Sequence, residues 1–306
     1  MWKGFALHDF NNNGLDDIIA TTDGDDLIVL IFDDGTMETL LTAGDKFKSS
    51  PSIINMDGNY VIMAGSYDQT MYAVSSSGDI LFEIATSDDV NSSASFVNLN
   101  GTAYAFFGSS DGFIYAVDME GNSLEGWPKE IGESVDNSVS FADLDGDGEP
   151  EAIIGVSGKV YAYHMDGTLY DRFPISYEFS LTSAPLIIDL DGDNDLEIIV
   201  GSSGALLSLD IMEAGSLDYY GYPYWSQDRG NNLKTGYYEV PQIECSSPMQ
   251  GDLNCDSFSD ILDIVTMIQI IINAQELNEY QMWVSDLNQD GFIDVLDVII
   301  IVNLIT

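Results

Sequence analysis

The chain has very few basic residues. Its 306 residues include 8 Lys and Arg against 52 Asp and Glu, which gives a formal net charge of -44. A nucleic-acid binder needs Lys and Arg to displace counterions from phosphates, so this charge excludes that class. The same charge argues against binding to anionic membranes. A surface this acidic favours a divalent cation, or a salty medium in which carboxylates stay solvated.

Cysteine, histidine and long apolar runs are also scarce. Two cysteines, Cys245 and Cys255, and two histidines cannot form a Cys/His zinc site of ordinary spacing. A disulfide between Cys245 and Cys255 would suit an exported protein, and two unpaired thiols fit the sequence equally well. The most apolar run, 261–272, contains Asp263 and is too short to span a bilayer, so we expect no membrane insertion. No signal sequence is visible, so we expect a trimmed start or a piece of a longer exported protein.

Five segments of the chain share one pattern. In each, a short apolar run leads to Asp or Asn, then to a polar turn with glycine, then to a second apolar run. Asp-Gly and Ser-Gly turns divide each repeat into four short strands, as in a β-propeller blade. No segment with helical periodicity precedes residue 260, which argues against a parallel α/β fold. The anchor residues of the repeats are Asp9, Asn55, Asn98, Asp143 and Asp189.

We therefore predict an all-β fold, a β-propeller of about five four-stranded blades, over residues 1–240. The first repeat has no upstream strand to complete the closure, so we expect a truncated ring that lacks blades at its N-terminal side. A linker over 241–250 and a small α-helical domain of paired loop–helix units over 251–306 are predicted to follow.

Three of the five anchors open an acidic loop of nine residues, with oxygen ligands at positions 1, 3, 5 and 9. A glycine-assisted turn would bring these side chains together, and calcium, a hard ion, suits such a cage better than magnesium or a transition metal. An acidic turn without metal is the alternative. The second and third repeats lack these charges, and we expect hydrogen bonds alone to hold their turns. The predicted ligands of about three calcium ions are Asp9, Asn11, Asn13 and Asp17; Asp143, Asp145, Asp147 and Glu151; and Asp189, Asp191, Asp193 and Glu197.

With these loops, such as DLDGDGEPE (143–151), the chain resembles the FG-GAP (VCBS-like) repeat family. The resemblance implies a propeller in which calcium is structural and braces the first two strands of a blade. The stretch WSQDRGNNLKTGYY (225–238) is similar to the tail that ends many such propellers in secreted bacterial proteins. Two roles are open for Arg229: it binds a ligand, or it pairs with blade carboxylates and pins the tail to the ring.

A second motif occurs twice in residues 244–306, a segment without Lys or Arg. DLNCDSFSDILD (252–263) and DLNQDGFIDVLD (286–297) each have Asp, Asn and Asp at positions 1, 3 and 5 and Asp at position 12. Each loop leads directly into an apolar helix. This is the pattern of an EF-hand loop, in which a carboxylate at position 12 completes an oxygen cage for calcium.

Paired loop–helix units with Asp at position 12 resemble type I dockerins. The resemblance implies a module that binds about two calcium ions, folds on binding them and attaches an exported protein to a cohesin domain on a scaffold. In this pattern position 7 supplies a backbone carbonyl and position 9 a ligand through water. The implied ligands are Asp252, Asn254, Asp256, Phe258, Asp260 and Asp263 in the first loop, and Asp286, Asn288, Asp290, Phe292, Asp294 and Asp297 in the second.

The partner surface departs from that of many dockerins. Loop positions 10 and 11, which often carry Ser-Thr-like contacts, are apolar here, and the usual basic residues of the recognition helices are absent. Helices that are apolar almost all round must bury against each other, the propeller or a partner. A calcium-clamped terminal cap without a cohesin is therefore the alternative to a docking module. The candidate partner contacts are Ile261, Leu262, Val295 and Leu296.

We predict a non-catalytic protein of bacterial type, secreted or at the cell surface. Its propeller would be a display platform, and its second module would attach it to a cohesin-type scaffold, in the context of polysaccharide breakdown. No nucleophile elbow or catalytic His/Lys/Tyr cluster stands out, and calcium loops account for the acidic clusters. Two alternatives are the C-terminal part of a secreted hydrolase or polysaccharide lyase, and an adhesin-like propeller that binds a carbohydrate or cell-surface ligand.

Overall fold

In the computed structural model the chain divides into two compact units, Met1–Val240 and Pro241–Thr306. The first unit consists of β-strands and turns, and the second of short helices and loops. The structure describes residues 2–99, 101–193, 195–219, 222–240, 249–253, 259, 261–273 and 279–305.

The strands of the first unit are short, and their bounds follow the predicted repeats. They are β1 Trp2–His8, β2 Asp17–Thr22, β3 Leu27–Ile31, β4 Met37–Thr42, β5 Ser52–Met56, β6 Asn59–Gly65, β7 Thr70–Ser75, β8 Ile80–Ala85, β9 Ser95–Leu99, β10 Thr102–Gly108, β11 Phe113–Asp118, β12 Lys129–Glu130, β13 Ser140–Ala142, β14 Glu151–Val156, β15 Lys159–Tyr163, β16 Ile175–Ser176, β17 Leu186–Ile188, β18 Asp195–Gly201, β19 Leu206–Ala214, β20 Asp218–Tyr219, β21 Tyr222–Pro223 and β22 Tyr237–Glu239.

Consecutive strands pair antiparallel, and each repeat forms one sheet. The first, third and fourth repeats form four-stranded sheets, β1 to β4, β9 to β12 and β13 to β16. The second repeat, β5 to β8, gains β22 as a fifth strand, and the fifth repeat has only β17 to β19 among the described strands. The all-β class with several four-stranded sheets is confirmed. None of the described sheets closes on itself, and the ring of five blades stays a prediction.

Glycines at the end of the second strand of a repeat allow the next repeat to approach. A Cβ atom on Gly65 would lie 2.4 Å from a methyl carbon of Val90, and one on Gly108 would lie 2.3 Å from a methyl carbon of Val135. Any side chain there would clash with the buried residue that opens the following repeat. This contact repeats between the second and third sheets and between the third and fourth.

The two repeats without calcium loops have a different brace. Tyr72 donates a hydrogen bond to Oδ2 of Asp68 at 2.7 Å, and Tyr115 donates one to Oδ2 of Asp111 at the same distance. In the second repeat, Asn55 also holds its turn by accepting a bond from the Gly58 amide at 2.7 Å. The tyrosine bonds tie β7 and β11 to the turns that precede them, and the Asn55 bond stays within the turn between β5 and β6.

The segment Tyr222–Val240, hereafter the tail segment, reaches the first strand of every repeat. Its backbone accepts hydrogen bonds from four of these strands, and β22 pairs parallel with β5. The Trp225 ring packs edge-on against Phe96 of the third repeat, with ring centroids 5.6 Å apart. The four backbone bonds run from Leu7 N to Thr235 O (2.9 Å), Ile53 N to Gly236 O (2.7 Å), Phe141 N to Trp225 O (2.9 Å) and Ile187 N to Ser226 O (2.9 Å).

The second unit contains three helices, α1 Ile261–Asn273, α2 Glu279–Ser285 and α3 Val295–Ile305. Helices α1 and α3 pack on each other, and Met267 and Ile301 are fully buried. The predicted α-helical loop–helix region is therefore present. Among the described residues, none of the helices combines the length and apolarity that a membrane span requires.

Candidate metal centres and docking surface

One hydrogen bond recurs in all five predicted calcium loops. The carboxylate that closes each loop is buried, and it accepts a bond from the backbone N–H of the second residue of the loop. This bond holds the last carboxylate beside the first turn of the loop, where the predicted cage needs its oxygen. The five bonds run from Phe10 to Asp17 (3.0 Å), Leu144 to Glu151 (2.7 Å), Leu190 to Glu197 (2.6 Å), Leu253 to Asp263 (2.6 Å) and Leu287 to Asp297 (2.8 Å).

The first loop is shaped by its own backbone amides. The two carboxylate oxygens of Asp9 accept bonds from the amides of Asn13 (3.1 Å) and Gly14 (2.7 Å), and the Gly14 bond lowers the pKa of Asp9. Asn11 also accepts a bond from the Asn13 amide, at 3.1 Å. Because two of its four predicted ligands are Asn, this loop offers a cation less charge than the other two.

The loop of the fourth repeat brings its predicted carboxylates together. Ligand atoms of Asp143, Asp145 and Asp147 lie within 4.8 Å of one another, and so do those of Asp145, Glu151 and His164. Burial raises the pKa of Glu151 to about 8, and burial also raises that of Asp143. Carboxylates crowded in this way favour a divalent cation, whose charge stabilises their ionised form. The residues present therefore fit a metal ion.

The loop of the fifth repeat forms a cluster that differs from the predicted set. Ligand atoms of Asp191, Asp193, Asp195 and Glu197 lie within 4.8 Å of one another. Asp189, the predicted first ligand, is not in this cluster and instead accepts a bond from the Gly192 amide at 2.7 Å. A hydrogen bond shared with Asp193 raises the pKa of Asp195 to about 6.

Sequence reasoning missed Asp195 and His164. Asp195 stands at loop position 7, between two predicted ligands, and its carboxylate was the available signal. The Ser157–Gly158 turn joins β14 to β15, and in this antiparallel pair Ala152 lies opposite Tyr163. The next pair, one residue further from the turn, is Glu151 and His164. Their side chains meet at 2.9 Å, between Nδ1 of His164 and Oε1 of Glu151. Apart from this imidazole the donors are oxygens, the ligands that calcium prefers.

In the C-terminal unit the second loop is described throughout. Asp286 accepts bonds from the amides of Asp290 (3.1 Å) and Gly291 (2.9 Å), and the Asn288 side chain accepts one from Asp290 at 2.9 Å. The second oxygen of Asp297 accepts a bond from the Asp294 amide at 3.0 Å. The predicted side-chain ligands thus lie on one curled backbone, and Phe292 offers the carbonyl of position 7.

The first loop of this unit is described only at its ends. Asp252 and Asp263 are both buried, as the opening and closing ligands of a cage would be. The disulfide between Cys245 and Cys255 stays a prediction. The predicted residues that lie outside the described part of the chain are Cys245, Asn254, Cys255, Asp256, Phe258 and Asp260, together with the side chain of Leu262.

Two of the predicted partner contacts, Ile261 and Val295, begin exposed apolar stripes, and Leu296 is exposed beside Val295. Ile261 is 67% exposed, Val295 64% and Leu296 51%. Each stripe continues along its helix at spacings of four and three residues, which places its members on one helix face. The stripes on α1 and α3 match position by position. The sequence analysis predicted only the first residue of each stripe. The stripes are Ile261, Val265 and Ile268 on α1, and Val295, Ile299 and Val302 on α3.

Arg229 is buried in the tail segment. It donates hydrogen bonds to the carbonyl oxygens of Phe5 (2.7 Å) and Pro51 (2.5 Å) and to the hydroxyl of Ser52 (3.2 Å). The predicted pairing with blade carboxylates is therefore wrong, because carbonyl oxygens take the guanidinium hydrogens instead. The predicted role of pinning the tail agrees with these contacts.

Comparisons with solved structures give distant similarities. S. cerevisiae Sqt1 superposes with a TM-score of 0.52 at 15% identity, over 67% of this chain and 58% of Sqt1. The V. cholerae biofilm matrix protein Bap1 gives 0.47 at 23%, over 60% and 30%. BBS1N in complex with ARL6DN gives 0.49 at 13%, over 73% and 68%. At these identities the likeness to Sqt1 concerns the fold alone. A comparison with curated proteins finds none that matches.

Family models match two parts of the chain. Residues 143–200, which contain the loops of the fourth and fifth repeats, match the FG-GAP-like repeat. Residues 250–306, which contain both 12-residue loops and the helices, match the dockerin type I domain. Dockerin type I domains bind calcium and dock on cohesins, and neither of these modules is itself catalytic. The chain therefore joins an FG-GAP-like repeat region to a dockerin type I domain.

Proposed function

We propose that this protein is an exported, non-catalytic component of a surface assembly for polysaccharide breakdown. The dockerin type I domain would attach it, in a calcium-dependent way, to a cohesin on a scaffold protein. The β unit would be a propeller braced by about three calcium ions that presents a binding surface. The observation that carries the proposal is the pair of matching apolar stripes on α1 and α3.

These stripes suit a protein partner. A helix that shows Ile and Val at every turn of its outer face leaves apolar area in water, which marks an interaction site rather than a solvated surface. At about 25 cal/mol per Å² of apolar area buried, covering even one stripe would contribute several kcal/mol to binding. The calcium loops place Asp263 and Asp297 at the first turns of the same helices, so metal binding and surface presentation are coupled.

The test is binding of the full chain to a panel of recombinant type I cohesin modules on a biosensor, first in calcium and then in EDTA. We expect capture by at least one cohesin in calcium only. The I261D/V295D double variant should bind about tenfold or more weakly, since two charges would enter the apolar interface. M212D is the matched control, because Met212 is equally apolar, 80% exposed and in the β unit. Capture that survives EDTA or I261D/V295D would refute the proposal.

The non-catalytic part of the proposal has its own test. The purified chain should release no reducing ends or unsaturated uronates from a panel of plant and algal polysaccharides, above a heat-treated sample. Turnover that is abolished by a single carboxylate substitution in the β unit would make the protein an enzyme instead.

A further inference from the structure

A cavity of about 660 Å³ opens where the first strands of four repeats begin. Its walls are the connectors that precede β5, β9, β13 and β17, together with the tail segment. This volume is within the range of small-ligand sites. Each connector has a buried apolar residue followed at once by a polar side chain that lines the cavity. The buried residues are Phe47, Val90, Val135 and Leu181, and the lining residues are Lys48, Asn91, Asp136 and Thr182.

Buried serines join neighbouring repeats behind the lining side chains. Ser52 donates to the carbonyl of Ala94 and Ser140 to that of Pro185, both at 2.7 Å. These two bonds sit behind the cavity wall and repeat from sheet to sheet. The lining position, in contrast, carries a different chemical group in each repeat. The repeat pattern therefore does not fix the polar groups that face the cavity, although Asn91 and Asp136 also bond to each other across two repeats.

Asp136 is held in place at the cavity. Its Oδ1 atom accepts bonds from Asn91 (3.1 Å), Ser134 (3.0 Å) and Ser110 (3.4 Å). In the part of the chain that the structure describes, no donor bonds its Oδ2 atom. A carboxylate fixed by three donors on one oxygen presents the other oxygen in a defined direction, which is the preorganisation that a binding site needs.

The charged side chains that line the cavity are two lysines, Lys48 and Lys234, and two aspartates, Asp136 and Asp228, so their formal charges cancel. Lys48 pairs with Asp23 at 2.8 Å, and Lys234 pairs with Asp228 at 2.9 Å. Amide and hydroxyl groups share the remaining wall with the apolar side chains of Leu186, Ile199 and Leu206, which suits a polar ligand that also has apolar faces. An anionic ligand would meet paired lysines and the field of a chain with net charge -44. Ligand hydroxyls fit this wall, since each can donate to a carboxylate and accept from an amide or ammonium group.

We propose that this cavity binds a short neutral oligosaccharide, whose hydroxyls bond to Asp136 and Asn91. The proposal rests on the proposed function, in which the β unit presents a binding surface during polysaccharide breakdown. It adds the place and the chemical class of the ligand. Cohesin binding uses other residues, so either property can be lost without the other.

The experiment is calorimetric titration of the full chain in calcium with cellotriose, xylotriose, mannotriose and trigalacturonate. We expect at least one neutral trisaccharide to bind, and N91A and D136A each to weaken it about tenfold. D136A removes a charged acceptor, and N91A removes an amide that also holds Asp136 in place. D25A/N59A, which removes similar exposed groups outside the cavity, should leave affinity unchanged. Melting temperatures would confirm that the variants are folded. No binding by any neutral trisaccharide, a preference for trigalacturonate, or equal affinity in D136A and the native chain would overturn the proposal. A simultaneous cohesin assay on the same samples separates this failure from failure of the attachment function.

Discussion

Nη2 of Arg229 lies 2.7 Å from the carbonyl oxygen of Phe5, so a residue near the end of the β unit is bonded to the first strand of the chain. The same guanidinium reaches the start of β5 through Pro51 and Ser52. Burial lowers the pKa of Arg229 to about 10, so the group remains charged at neutral pH. One buried cation thus fastens the first and second repeats to the tail segment.

We expect R229A to lower the free energy of unfolding by about 3 kcal/mol, because it leaves buried carbonyl groups without a donor. R229K should recover little of the lost free energy of unfolding, since an ammonium group lacks the planar fork that reaches three acceptors. Urea unfolding followed by tryptophan fluorescence would measure both. The control is R172A, because Arg172 is exposed and pairs with Asp171 on the surface. Equal stability of R229A and R172A would contradict the pinning role.

The stability of the calcium-free protein should decrease as the pH rises, because of Glu151. Burial raises the pKa of this carboxyl from 4.5 to about 8, so the folded chain retains a proton that the unfolded chain releases. That contribution is complete below about pH 4.5 and is lost as pH rises through 8. At about 1.4 kcal/mol for each pKa unit, the loss amounts to a few kcal/mol.

The measurement compares native chain and E151Q in EDTA between pH 5 and 8.5. The native chain should lose stability relative to E151Q as the pH rises, since glutamine cannot ionise. At pH 8, calcium should increase the stability of the native chain more than that of E151Q. A difference between the two that stays constant across this range would disprove the assignment of the effect to Glu151.

The loop of the fifth repeat contains two aspartates with different expected roles. Asp195 lies in the cluster of four carboxylates, whereas Asp189 bonds the Gly192 amide. We expect D195N to weaken calcium protection of β17 and β18 by about tenfold, because it removes one negative ligand. D189N should weaken the calcium protection of these strands less. Hydrogen exchange of residues 186–201 during a calcium titration would measure this, and equal effects would show that the two carboxylates contribute alike.

Calcium removal should release the helices of the second unit. In the metal-free chain, the carboxylates of each loop repel one another and no longer fix the start of the following helix. Hydrogen exchange over 261–305 should therefore accelerate in EDTA. D297N should accelerate α3 even in calcium, since the amides of Leu287 and Asn288 bond the Asp297 carboxylate. D218N, an exposed substitution in the β unit, is the control, and unchanged exchange in α3 of D297N would contradict the cage.

Local patterns predicted more of this protein than long-range ones did. The loop from Asp143 to Glu151 could be read from the sequence because its ligands alternate within nine residues. His164 could not be read in the same way, because strand pairing brings it to Glu151. The three-stranded form of the fifth sheet among the described strands, and the addition of β22 to the second sheet, also depend on contacts far apart in sequence. A motif scan has no access to such pairings.

The tail segment also determines when the β unit can finish folding. It is the last part of that unit to leave the ribosome, yet its backbone and Trp225 contact the first strand of every repeat. Sheets made from earlier residues can pair locally as they emerge, but their common contacts must wait for residue 240. Synthesis of the dockerin domain begins directly afterwards. A ribosome stalled upstream of the tail segment would therefore hold sheets that contact their sequence neighbours but lack the contacts of the tail segment, exposed to aggregation until translation resumes.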